Sequence, residues 1–226
     1  MTTMKTLTRK NLYAIIDTET TNTTDQPILY NIAMMIIDNC GQVYDSLNFI
    51  IEDVFFGMAD LMKSAYYADK IPQYMEQIER GEIEVVTMAQ AVLRIREMLT
   101  AYGVKVWMAH NARFDDNAMK TTERYLTKSK YRYLMPYGMT AWDTMKMAQD
   151  VIATKASYRK FCEDNGFMTK HKTPRPQVKA ETIFRYITND PEFIEEHKAY
   201  EDIDIERQIF AYCVKQHKKM RRELWG

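Results

Sequence analysis

The run Leu12-Tyr13-Ala14-Ile15-Ile16 has the length and apolar character of a β-strand, and it leads into Asp17-Thr18-Glu19-Thr20. Residues two apart in a strand share a face. Asp17 and Glu19 therefore set two carboxylates side by side at the end of an apolar element. Like charges so placed repel, and a bound divalent cation removes the repulsion. A strand end turning into a polar loop accounts for the same tetrapeptide without any metal, so the rest of the chain must decide.

Two further apolar runs follow. Ile28 to Ile37 is broken by the turn signal Asp38-Asn39-Cys40-Gly41, and Val43 to Ile51 has strand character again. The three runs read as an antiparallel meander. Helical patterning then sets in. The segment from Asp53 to Ile83 is a helical excursion in which Pro72 must start or break a helix. Met88, Val92, Ile95 and Leu99 form a helical stripe within Thr87 to Tyr102, closed by Gly103. Val104 to Ala109 is a strand, and Asn111 is placed to cap the helix that follows. Beyond a loop at Tyr131 to Thr140, helices are expected at Asp143 to Ala153, Ser157 to Asn165 and Ala180 to Ile187. Pro191 opens a long last helix through His197 to Met220. A short strand before Asp143 makes five. The expected fold is α/β: a mixed five-stranded sheet, antiparallel in its first three strands, flanked by helices. With 46% hydrophobic residues in 226 and few Gly or Pro, the chain suits one domain, 1–226, carrying the excursion at about 53–83.

Lys+Arg and Asp+Glu both count 31, which excludes a uniform basic field. Nucleic-acid binding would have to use local patches. Two basic runs qualify: Lys155 to Lys179 carries seven Lys/Arg against two acids, and Lys215 to Arg222 carries five against none. Solvated helix faces explain such runs equally well. Met168 to Val178 is a Pro-containing basic loop. Cys40, Cys162 and Cys213 are odd in number and widely spaced, which argues against a disulfide framework or a cysteine zinc site and fits a reducing compartment. No apolar run approaches the roughly 20 residues of a membrane span. The expectation is a soluble, cytoplasmic protein without membrane partners.

Two more acidic places matter. Asp115 lies in the first turn of the helix after Val104 to Ala109, where the helix dipole favours a carboxylate. Asp116 points about 100 degrees away and cannot share its site. His197 and Asp202, read on one helix, differ by about 140 degrees, so the imidazole would have to reach in from the rim. An ordinary first-turn acid and a solvated acidic helix start are the plain readings of these features.

Taken together, Asp17-Thr18-Glu19-Thr20-Thr21, His110-Asn111-Ala112-Arg113-Phe114-Asp115 and His197-x-Ala199-x-x-Asp202 resemble, in order, the three motifs of the DEDDh (DnaQ-like) 3′–5′ exonucleases, which have a ribonuclease H-like fold. The resemblance runs from about Leu12 to Phe210, and Asp143-Thr144 is similar to the family's mid-chain Asp-Thr. Phe161 to Gly166 and the basic C-terminal run look most similar to phage-encoded members, for which the compartment would be the host cytoplasm.

The resemblance implies that Asp17, Glu19, Asp115 and Asp202 hold two divalent cations, Mg²⁺ or Mn²⁺ rather than zinc. Asp17 would bridge them, and His197 would deprotonate the attacking water. Thr18, Thr20, Thr21, His110 and Asn111 would hold the 3′-terminal nucleotide. Lys170, Lys172 and Arg175 would hold phosphates, and Tyr131, Tyr133 and Trp142 are candidates for base stacking. Asn22 stands where the family has Gly. Tyr200-x-x-x-Asp204 matches the spacing of the tyrosine subclass and competes with the histidine version.

The implied activity is hydrolysis of single-stranded DNA to nucleoside 5′-monophosphates, acting alone or editing for a polymerase in trans. An RNA exonuclease of the oligoribonuclease or RNase T type is the alternative within the class. A catalytically silent nucleic-acid-binding module is the alternative outside it.

Overall fold

The structure is a computed structural model; it describes residues 11–21, 26–63, 65, 67–128 and 133–225. Asn22 and Tyr131 lie outside the described residues. In chain order the elements are β1 (Tyr13–Thr20), β2 (Leu29–Ile37), β3 (Val43–Ile51), α1 (Glu52–Phe55), α2 (Ala59–Lys63), a 3₁₀ turn (Ala68–Lys70), α3 (Ile71–Glu79), β4 (Glu84–Val86), α4 (Met88–Ala101), β5 (Val106–Ala109), α5 (Ala112–Leu126), β6 (Thr140–Asp143), α6 (Thr144–Val151), α7 (Ala156–Asp164), α8 (Ala180–Thr188) and α9 (Ala199–Lys215).

The sheet has six strands in the order β4-β3-β2-β1-β5-β6. β1, β2 and β3 form the expected antiparallel meander, and β4, β5 and β6 each join parallel to a neighbour. The sixth strand, β4, is the one that patterning missed: three residues are too few to display an alternation.

β1 and β2 are covered on both faces, which is why they read as unbroken apolar runs. Ala14 and Ile16 pack in the core beneath α4 and α5, whereas Ile15 packs with α6, α8 and α9 on the other side. A bulge interrupts the β1–β2 register between Glu19 and Thr20. Beside it, the Leu29 N–H donates to the fully buried hydroxyl of Thr122 at 2.9 Å, and that hydroxyl donates to the Ala118 carbonyl at 2.7 Å.

α4 begins at Thr87 with a full capping box against Gln90. Gly103 (φ +63) ends that helix in the left-handed region, and Val104 N–H returns to the Leu99 carbonyl at 2.9 Å. Pro72 sits in the first turn of α3, where its missing N–H costs nothing.

Two expectations fail. The last helix does not start at Pro191 or reach Met220; it spans Ala199–Lys215. The backbone groups of the preceding segment are taken by tertiary partners instead. Arg185 donates to the Phe193 carbonyl at 2.6 Å, and Glu195 N–H donates to Glu181 at 3.2 Å. Asn111 does precede α5, but its side chain makes no capping bond. Its backbone is left-handed (φ 68, ψ 48), a conformation Asn tolerates better than most residues.

After α9 the chain returns to the sheet. Leu224 N–H donates to the Ala141 carbonyl and Asp143 N–H to the Arg222 carbonyl, and the second basic run, apart from Lys215 in the last turn of α9, lies beyond the helix. No helix among the described residues is long and apolar enough to cross a membrane.

Replacing Thr122 by the near-isosteric Val leaves the Leu29 N–H buried beside the bulge without its acceptor. The expected loss is about 1–3 kcal/mol of unfolding free energy, read as a lower urea midpoint at unchanged slope.

Candidate active site

Asp17 and Glu19 share the parity of Ile15, so both carboxylates project toward α9. The stripe by which α9 buries itself runs through Ala199, Asp202, Ile203, Glu206, Ile209 and Phe210. Two carboxylates thus sit in an otherwise apolar face. Ligand atoms of Asp17, Glu19 and Asp202 lie within 4.8 Å of one another. Asp115 stands next to this group in the first turn of α5, 2% exposed, and its Oδ1 accepts the Thr18 hydroxyl at 2.9 Å. Asp116 faces elsewhere and pairs with Lys120 at 2.6 Å.

The electrostatics follow from crowding charge in a poorly solvated place. Burial, followed by the charges of Asp115 and Glu19, raises Asp17 well above the usual carboxylate range. Burial and Asp202 do the same to Glu19, opposed by Lys70. Burial raises Asp115 to about 7 against the Thr18 hydrogen bond, and burial with the Asp17 charge raises Asp202 to about 9. Asp202 Oδ1 is buried and finds no hydrogen-bond partner among the described residues. A hard divalent cation would satisfy that oxygen and offset the repulsion, so the donor set fits Mg²⁺ or Mn²⁺.

His197 precedes α9 rather than riding on it, which removes the 140-degree difficulty. Its backbone is left-handed (φ 52), and its ring stacks on Tyr67 with centroids 4.9 Å apart. Lys70 Nζ donates to the His197 carbonyl at 3.3 Å and also to the Glu196 carbonyl. The excursion between β3 and β4 therefore clamps the histidine segment against the site. Burial and the neighbouring Lys70 charge lower the His197 pKa.

Tyr200 and Asp204 point away from this place: Tyr200 Oη lies 3.2 Å from Ser46 Oγ, and Asp204 pairs with Arg207 at 2.6 Å.

The β5–α5 turn is held from several sides. His110 N–H donates to Glu206 Oε2 at 3.1 Å, and Asn111 N–H donates to Asp143 Oδ1 at 3.1 Å. Both His110 ring nitrogens are engaged, Nδ1 with Thr144 Oγ1 at 3.1 Å and Nε2 with the Val178 carbonyl at 2.7 Å. That ring fixes the turn, and its pKa is lowered by burial.

Asp17, Glu19 and Asp202 open into a cleft of about 620 Å³, whereas Asp115 lies behind them, outside its lining. Thr18, Thr20, His110 and Asn111 line it, with Phe114 and Met145 as apolar walls. Thr21 is 2% exposed and donates its N–H to the Ile28 carbonyl. Lys170, Lys172 and Arg175 are exposed on a tight hairpin closed by Thr169 N–H to the Arg175 carbonyl at 2.8 Å. The base of that hairpin, at Thr169 and Gln177, forms part of the cleft wall.

Trp142 is packed against Tyr13 at 5.3 Å, and Tyr133 is exposed at a separate depression beside Trp225. Sequence reasoning did not single out Glu206, although its position one turn after Asp202 was a usable signal. Burial, followed by the Asp17 charge, raises it well above the usual range. Glu195, also in the cleft, gave no signal in the sequence.

No protein-family model matches the chain, and no curated protein matches it. Solved structures do. A full-length 3′-exonuclease aligns with a TM-score of 0.63 at 12% identity over 94% of this chain and 85% of that one. E. coli exonuclease I in complex with a dT13 oligonucleotide aligns with a TM-score of 0.58 at 15% identity over 93% of this chain, which spans only 41% of that protein. The cell-death related nuclease CRN-4 gives 0.55 at 13% identity, over 94% of this chain and 67% of that one. At such identities the likeness is one of fold, and it agrees with the mixed sheet described above.

The raised carboxylates set a direction for stability. A carboxylate whose folded pKa exceeds its unfolded value stabilises the fold while protonated and loses that contribution as pH rises toward the folded pKa. With Asp115 near 7 and Asp202 near 9, the melting temperature in EDTA should fall between about pH 5 and pH 9. Mg²⁺ or Mn²⁺ should restore it, most strongly at the alkaline end. Scanning calorimetry with and without EDTA checks this; a flat profile in EDTA contradicts it.

Proposed function

We propose that this chain is a metal-dependent 3′–5′ exonuclease that removes nucleoside 5′-monophosphates from single-stranded DNA. The observation that carries the reading is the carboxylate group at the end of β1, with donors of Asp17, Glu19 and Asp202 within 4.8 Å, sharing one cleft with the His197 imidazole. A shared fold alone would not license an activity. The fold likeness to exonuclease I, solved with a single-stranded oligonucleotide, agrees with the reading.

Asp17, Glu19, Asp115 and Asp202 would hold the cations. When bound, two such cations stabilise the attacking and leaving oxygens of an in-line displacement. His197 accepts the proton of the attacking water. Its lowered pKa keeps the ring neutral near pH 7, as a general base requires. Tyr67 stacks on that ring, and Lys70 holds the backbone that carries it. Thr18 holds the Asp115 carboxylate from the opposite face of β1.

A cleft of about 620 Å³ suits one terminal nucleotide, with Phe114 and Met145 against sugar and base and Thr20 and Asn111 offering polar contacts. Lys170, Lys172 and Arg175 extend the path to phosphates upstream.

Two measurements test this. His197→Ala should lower kcat on single-stranded DNA about 10²–10⁴-fold. Tyr200→Phe, whose hydroxyl neighbours Ser46 outside the cleft, should stay within about twofold of wild type. Equal rates for His197→Ala and wild type contradict the role. Replacing Lys170, Lys172 and Arg175 by Ala should flatten the dependence of log affinity on log salt. On a single strand, each phosphate left without its cationic partner lowers the slope by about 0.7, hence by about 2 for the triple variant, and an unchanged slope contradicts the phosphate path.

A further inference from the structure

A second donor group overlaps the first at Asp202. Ligand atoms of Glu195, His197 and Asp202 also lie within 4.8 Å of one another. Its composition differs in kind, because it combines two carboxylates with an imidazole. Imidazole nitrogen suits borderline ions such as zinc, whereas the all-carboxylate group of Asp17, Glu19 and Asp202 suits Mg²⁺ and Mn²⁺.

The geometry is close to what zinc asks for. Donors about 2.0–2.2 Å from a tetrahedral ion stand roughly 3.4 Å apart, and Glu195 Oε2 lies 3.6 Å from His197 Nδ1. Asp202 is shared with the all-carboxylate group; it is 6% exposed, and its Oδ1, buried without a hydrogen-bond partner among the described residues, is open to an ion in either group. The segment bearing Glu195 and His197 is already fixed, by Glu181 on the Glu195 N–H and by Lys70 on the His197 carbonyl. The site therefore needs little ordering on binding.

We propose that Glu195, His197 and Asp202 form an inhibitory zinc site. An imidazole nitrogen whose lone pair is given to zinc cannot accept the proton of the attacking water, and Asp202 is drawn from the Mg²⁺ group at the same time. Zinc so bound is an inhibitor of the enzyme, distinct from the hard cations the carboxylates would use for hydrolysis. The inhibitory consequence rests on His197 being the general base; the zinc site itself does not.

The test is a zinc titration of the full chain in excess Mg²⁺, read by competition with a chromophoric zinc indicator and without nucleic acid. Wild type should take up one zinc. Glu195→Gln and His197→Ala should each weaken uptake at least about tenfold, and Asp17→Asn should not. Unchanged uptake in both Glu195→Gln and His197→Ala, or a loss confined to Asp17→Asn, overturns the site. Cleavage of single-stranded DNA should then be inhibited over the same zinc range, and Glu195→Gln should be relieved relative to its own zinc-free rate. Zinc uptake as expected with cleavage unaffected overturns the inhibition. The titration reads the site whether or not the chain cleaves nucleic acid, so failure of the exonuclease reading and failure of the zinc site are told apart.

Discussion

Mutual repulsion among carboxylates gathered at the end of β1 is the constraint around which this structure is arranged. Asp17 and Glu19 emerge from a strand covered on both faces, and Asp202 and Glu206 interrupt the apolar stripe of α9 that packs against it. Asp115 closes the group from α5. Burying this many like charges without a cation is unfavourable, and the raised pKa values of Asp17, Glu19, Asp115, Asp202 and Glu206 all express that cost. A fold keeps such an arrangement when the charges have work to do on something bound there.

The surrounding elements act as supports for that place. Glu206 and Asp143 hold the β5–α5 turn by its backbone N–H groups, which sets the start of α5 and hence Asp115. The His110 ring ties the same turn to the end of the basic hairpin at Val178. From the opposite side, Tyr67 and Lys70 reach across from the excursion to fix the His197 segment. That excursion, whose purpose is invisible in its composition, thereby becomes part of the wall of the site.

Much of this was legible in the residues. The spacing of Asp17 and Glu19 gave their shared face, and the meander β1 to β3 followed from three apolar runs and an Asx/Gly turn. What failed had physical causes. The segment after Pro191 carries helix-compatible residues, but Arg185, Glu181 and Lys70 claim its backbone groups and keep it out of α9. That error placed His197 on a helix and produced a geometric conflict that does not exist. Asn111 was expected to cap α5 through its side chain, and instead it serves through a left-handed backbone. Glu206 was one helical turn from Asp202 and could have been found, whereas the entry of Glu195 into the cleft depends on tertiary contacts that no local pattern announces.

The central claim is that the carboxylates exist to hold cations for hydrolysis from a 3′ end. The most direct measurement is a gel assay of one oligonucleotide sequence, as DNA and as RNA, labelled at the 5′ end and incubated with Mg²⁺, with EDTA, and with the Asp17→Ala variant. The account predicts a Mg²⁺-dependent ladder that shortens from the 3′ end, absent in EDTA and in the variant, and faster on DNA. Binding of the oligonucleotide with no cleavage under Mg²⁺ or Mn²⁺ would contradict it.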